Sequence, residues 1–228
     1  TLITSSAASD VYKRQGIKVG LGEVTNKIPA KDLQDKGVLA NCHVNVLQTN
    51  DILEFRSYAE ELKWLTTDAK RMSWVAQTIN DISTSGNTLI LVDRISAGEI
   101  LEKKIKDSVF IRGATKNMER KEHYDEVSTA QTKVIIATYG VAAVGINIPR
   151  IFNLVLIEPG KSFVRVIQSI GRGIRKAEDK DSVNIWDITS ACKFARRHLT
   201  QRKKFYKEAN YPYNIEKIDT DLYENFNT

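Results

Sequence analysis

From Thr88 onward one pattern recurs: a short, largely apolar run, then a longer helix-like stretch. The runs are TLILV (Thr88–Val92), SVFI (Ser108–Ile111), KVIIA (Lys133–Ala137), LVLI (Leu154–Ile157) and VNIW (Val183–Trp186). Ser96–Lys106, Asn117–Ser128 and Ser162–Arg175 lie between runs as helices, and Ala191–Glu208 follows the last run. A run that is apolar on successive residues leaves neither face of a strand suited to water. Strands of this kind alternating with helices predict an α/β fold, a parallel β-sheet with helices on both faces.

Before this region, NCHVNVLQT (Asn41–Thr49) is rich in β-branched residues and reads as a strand, while Ser57–Leu65 and Asp68–Ile82 carry amphipathic helical spacing. Trp64, Met72, Trp74 and Val75 read as core or helix-packing residues. After Ala209 the segment YPYNIEKID reads as a further short strand ahead of an acidic end. No internal repeat or low-complexity segment is present. The first residues, TLITSSAASDVYKRQ, have neither the layout of a signal peptide nor a folding pattern. SSAASDVYKRQ resembles a translated sequencing-adapter remnant, so residues 1–15 are set aside as an assembly artefact, with an upstream part of the protein expected.

Composition narrows the classes of function. Hydrophobic residues make up 42% and charged residues 27% of the chain, as in ordinary soluble domains. No apolar run approaches the roughly 18 residues of a membrane span. Cys42 and Cys192 show no CxxC spacing and read as reduced thiols of a cytoplasmic protein. His43, His123 and His198 lack metal-ligand spacing, so no metal site is expected. The formal charge of +6 is mild, yet residues 193–207 (KFARRHLTQRKKFYK) hold seven Lys or Arg and no acid. Such a run is either a solvated helix face or a stripe turned towards phosphates.

In open parallel sheets, binding groups gather on loops that leave the carboxyl ends of strands. Those loops carry Asp93-Arg94, Arg112-Gly113, Thr138-Tyr139-Gly140 and Glu158-Pro159-Gly160-Lys161. Glycines, hydroxyls and cations along one edge suit phosphate groups. ATYGVAAVGINIP (Ala137–Pro149) places Gly140 and Gly145 after a strand, as a tight connection or as a close approach to a ligand. Neither GxxxxGK[ST] nor GxGxxG occurs there, so this segment alone is no triphosphate cradle. QSIGRGIR (Gln168–Arg175) sets Arg172 and Arg175 one helical turn apart between glycines at 171 and 173. Two solvated arginines account for that spacing. So does a pair of guanidinium groups aimed at a phosphoryl group across a close interface.

In this order and at this separation, ATYGVAAVGINIP and QSIGRGIRK resemble motifs V and VI of superfamily 2 helicases. NTLILVDR is similar to motif IV, and RGATKNMER to the segment in which a glycine precedes an arginine by seven residues. The resemblance extends over roughly residues 20–190 and is nearest to phage DNA helicases of the UvsW-like type. It implies a RecA-like second motor domain over residues 84–208. Residues 16–83 would then supply the connection and the domain's first helices, and residues 209–228 a tail.

For individual residues the resemblance implies the following. Arg172 and Arg175 would be arginine fingers reaching ATP held by another motor domain, and Gln168 would sense the nucleotide. Gly145 and Asn147 would form the motif V loop beside it. Thr138 would bond a nucleic-acid phosphate, with Arg94, Gly113, Arg120 and Lys161 along the same surface. Asn117 departs from the glutamine of several branches. The Walker A lysine and the acidic box belong to the first motor domain of the family and are absent here. ATP with Mg2+ would therefore be held mainly by an N-terminal RecA-like domain, and this fragment alone would not hydrolyse it. The implied partner is DNA, single-stranded or branched, with RNA also open, and the implied location is the cytoplasm, that of the host for a phage protein. A motor subunit of a restriction or excision-repair complex, and a non-catalytic nucleic-acid-binding module, remain alternatives.

Overall fold

The computed structural model describes residues 41–144, 150–160 and 182–225. Within them lie seven strands: β1 (Asn41–Thr49), β2 (Thr88–Val92), β3 (Ser108–Ile111), β4 (Val134–Thr138), β5 (Asn153–Ile157), β6 (Ser182–Ser190) and β7 (Tyr213–Ile218). The helices are α1 (Tyr58–Thr67), α2 (Ala69–Ser83), α3 (Ile95–Lys104), α4 (Asn117–Thr129), α5 (Tyr139–Val144) and α6 (Lys193–Glu208), followed by a 3-10 turn at Thr220–Asn225. The strands form one sheet in the order β3-β4-β2-β5-β6-β1-β7, with every pairing parallel.

The apolar runs dictate this arrangement. Every residue of β2 and β5 is buried, and these strands occupy the middle of the sheet. Their side chains divide by the two-residue period of a strand. Leu89, Leu91, Ile135, Ala137, Leu154, Leu156, Val183 and Ile185 pack on one face with Val127, Val141, Leu199 and Tyr206, which belong to α4, α5 and α6. Ile90, Val92, Ile136, Val155, Ile157 and Ile188 pack on the other with Met72, Val75, Ile79, Ala97 and Leu101, which belong to α2 and α3. Helices therefore cover both faces, as the sequence pattern requires. Gly98 lets α3 lie close to β3, because a Cβ there would come within 2.3 Å of the Phe110 ring.

Buried amides fasten the opposite end of the sheet. Asn87 donates to the Val127 and Ala130 carbonyls and accepts from the Lys133 amide, tying the end of α4 to β2 and β4. Asn153 donates to the Ile82 carbonyl and accepts from the Trp186 indole. At the edges, β3 is only four residues long, and β7 is largely exposed with charged Glu216 and Lys217. Short or charged edges discourage pairing with another sheet.

Two elements differ from the sequence pattern. The strand read at Val183–Trp186 runs on to Ser190, because Asp187, Thr189 and Ser190 find buried partners that their polarity alone does not announce. The segment after β4 begins as the six-residue helix α5 rather than as a glycine loop. The Val141 amide there donates to the Thr138 hydroxyl, in the manner of a helix cap.

Candidate functional site

The carboxyl edge of β2, β3 and β4 gathers part of the expected nucleic-acid surface. Val92 is registered with Thr138, and Ile111 with Ala137, so the residues that follow these strands emerge side by side. Thr138 is half-buried at the end of β4. Arg94 follows β2 and donates from Nη2 to the Ala59 carbonyl at 3.2 Å, while its Nε has no partner. Gly113 follows β3, is exposed, and has no atom within 4 Å of where a Cβ would stand. Neither internal crowding nor a left-handed backbone explains that glycine.

Arg120 points back from α4 and donates from Nη2 to the carbonyls of Arg112 and Gly113, at 3.1 and 2.8 Å. It braces the loop after β3. Arg112 pairs with Glu99 at 2.9 Å and lies 5.2 Å over the Phe110 ring. Ile95 and Met118, each near the start of a helix behind this edge, are exposed. Lys161, Gly145, Asn147, Gln168, Arg172 and Arg175 lie outside the described residues.

A second constellation occupies the same edge further along the sheet, and sequence reasoning missed it. Five buried charged side chains meet where β1, β5 and β6 end: Asp51, Glu158, Asp187, Arg71 and Arg202. Arg71 Nη2 donates to Glu158 at 2.7 Å, and its Nη1 donates to the Leu65 carbonyl. Arg202 grips Asp187 with two bonds of 2.8 and 2.9 Å and also donates to the Pro159 carbonyl. The Tyr206 hydroxyl donates to Asp187 at 2.8 Å. Asp51 accepts from the hydroxyls of Thr49, Ser190 and Tyr223. The helical spacing of Arg202 with Leu199 and Tyr206, which places all three on one face of α6, is the signal from which its burial was readable.

The electrostatics follow from the charge balance. Two guanidinium groups face three carboxyl groups, so one carboxyl is in surplus. Burial raises the Glu158 carboxyl to about 7, against the pull of Arg71 and Arg202, with Asp187 and Asp51 adding to the rise. For Arg71, burial works against the charged form, yet Glu158, Tyr223 and Asp51 hold its pKa above the ordinary value. Burial likewise pushes the Tyr139 and Tyr206 hydroxyls well up, reinforced by Asp187, which keeps them as neutral donors.

The buried guanidinium groups bond carboxylates and carbonyls of the chain itself. No group of three or more His, Cys, Asp or Glu suited to a metal occurs among the described residues. None of the described helices is long and apolar enough to cross a membrane.

Comparison with known proteins places these features. Residues 70–177 match the helicase conserved C-terminal domain family. The chain is 25% identical over 219 residues to the ATP-dependent DNA helicase uvsW of Enterobacteria phage T4, covering 90% of this chain and 43% of that relative. The crystal structure of T4 UvsW matches with a TM-score of 0.68 at 21% identity, over 78% of this chain and 42% of that one. A fragment of a putative HsdR subunit of a type I restriction enzyme from Vibrio vulnificus matches at 0.65 and 20% identity, over 97% of this chain and 44% of that one. The C-terminal domain of the DEAD-box protein Dbp5 matches at 0.53 and 18% identity, over 82% of this chain and 97% of that one. The chain thus spans less than half the length of UvsW. Motif order, sheet topology and these matches agree: residues 70–177 match a helicase C-terminal domain, and the chain has a RecA-like fold and is similar in sequence to UvsW.

Proposed function

We propose that this chain is the C-terminal half of an ATP-dependent DNA helicase or translocase. It supplies part of the nucleic-acid track and a pair of arginine fingers, while an N-terminal motor domain holds most of ATP and Mg2+. The observation that carries the reading is the side-by-side emergence of Arg94, Gly113 and Thr138 from three adjacent strands. A hydroxyl, a backbone freed of side chain and a cation at one edge suit a phosphate backbone. The sequence match to a DNA helicase favours this reading over a restriction motor, whose likeness rests on the shared fold.

In the proposed cycle, ATP draws the two motor domains together and places Arg172 and Arg175 against the charge that develops on the transferring phosphoryl group. Thr138 and its neighbours hold the strand while the cleft opens and closes. Arg120 keeps the Arg112–Gly113 carbonyls turned inward, which fixes the loop that meets the strand.

The test is ATPase activity of the chain joined to its N-terminal motor domain, measured with single-stranded, duplex and forked DNA. Turnover stimulated at least about tenfold by one of these DNAs supports the proposal. Turnover indifferent to all three contradicts it, and so does strict dependence on RNA.

A further inference from the structure

The basic run of the sequence resolves into two populations in α6. Arg202 turns inward to Asp187, whereas Lys193, Arg196, Arg197, Lys204 and Lys207 are exposed and Lys203 is half-buried. At 3.6 residues per turn the six outward cations fall within an arc of about 120°. Ala195, Leu199, Arg202 and Tyr206 form the opposite, buried side. The stripe runs the 16-residue length of α6, about 24 Å, and meets no acid before Glu208. No ion pair among the described residues engages these six cations.

A solvated face does not explain where the charges sit. Lys193, Arg196 and Arg197 occupy the first turns of α6, where the positive end of the helix repels cations. No acid stands in that turn and Cys192 makes no capping bond; the buried Glu61 from α1 accepts from its amides, and Asp51 and Glu54 border the same hollow as Lys193, Arg196 and Arg197. Folding alone favours the reverse placement. An external polyanion would offset it further.

The aromatic rings decide which polyanion. Phe194 is half-buried, with Lys193 and Arg197 over its ring at 5.6 and 5.9 Å and Tyr58 against its edge. Phe205 is packed against Tyr206 and Tyr211. The stripe therefore lacks the open stacking platforms by which single strands are held. Its spacing of cations along a straight, rigid rod suits one phosphate backbone of a duplex.

We infer that the outer face of α6 is a second nucleic-acid surface that holds the backbone of double-stranded DNA. It is distinct from the edge of β2, β3 and β4, since α6 packs on β6, two strand positions or about 10 Å from β2, the nearest of those strands. Its role requires no ATP, so it stands or falls independently of the motor reading.

The test is binding of a labelled duplex and of a single strand to the full chain, by fluorescence anisotropy across a salt series. The variant R197Q/K204Q/K207Q is compared with K103Q/K104Q/K106Q, which removes the same charge around the end of α3. The α6 variant is expected to lose at least about tenfold in duplex affinity and about 2 to 3 units of the salt slope, with an unchanged melting temperature. The α3 variant is expected to lose much less. Equal losses in the two variants would reduce the stripe to net charge and overturn the inference. An unchanged slope, or a loss as large on the single strand as on the duplex, overturns it too.

Discussion

Glu158 leaves β5 with φ at 44°, in the left-handed region that side chains other than glycine rarely adopt. Its carboxyl accepts from Arg71 and from the Thr189 hydroxyl, and these bonds hold the strained residue in place. With Asp51, Asp187, Arg71 and Arg202 around it, Glu158 is the surplus acid of the network, and burial raises it from 4.5 to about 7. A carboxyl raised on folding keeps its proton longer in the folded state than in the unfolded one. Its contribution to stability is complete below about pH 4.5 and is lost as pH rises through about 7. Glu158→Gln keeps the shape and cannot titrate. Urea denaturation across this window should show stability falling with pH more steeply in the wild type than in the variant. Parallel curves would refute the surplus-acid account.

At the scale of elements, α6 illustrates how one buried residue governs a neighbouring helix. Glu61, only 1% exposed, accepts from the Phe194 and Ala195 amides at 3.0 and 2.7 Å, so α1 supplies the cap that α6 lacks in its own sequence. Glu61→Ala is expected to cost about 1 to 3 kcal/mol in chemical denaturation, because one buried and one part-buried amide lose a charged acceptor. Glu61→Gln should recover part of that loss. A loss in the alanine variant below about 0.5 kcal/mol would contradict the capping role. The strands β2, β3 and β5 were legible in the sequence because unbroken apolar runs have one physical solution. The end of β6 was not, because Asp187, Thr189 and Ser190 look like loop residues until their distant partners are placed. The cap by Glu61 was equally hidden, since 133 positions separate it from Phe194.

For the whole molecule, the glycine- and arginine-bearing motifs carried the family, and the alternation of strands and helices carried the fold. The arrangement of Arg94, Gly113 and Thr138 along one edge was also legible, because open parallel sheets collect binding groups there. What the sequence concealed is that Arg120 spends its guanidinium on the chain's own carbonyls: the seven-residue spacing from Gly113 was visible, but not that it closes a loop onto the Arg112 and Gly113 carbonyls. The central claim concerns the shared ATP site. It is tested most directly by steady-state ATP turnover of Arg172→Ala and Arg175→Ala in the chain joined to its N-terminal motor domain, with DNA affinity measured in parallel. Removal of a finger should lower turnover at least about a thousandfold and leave DNA affinity nearly intact. Turnover at the wild-type rate in either variant would contradict the account.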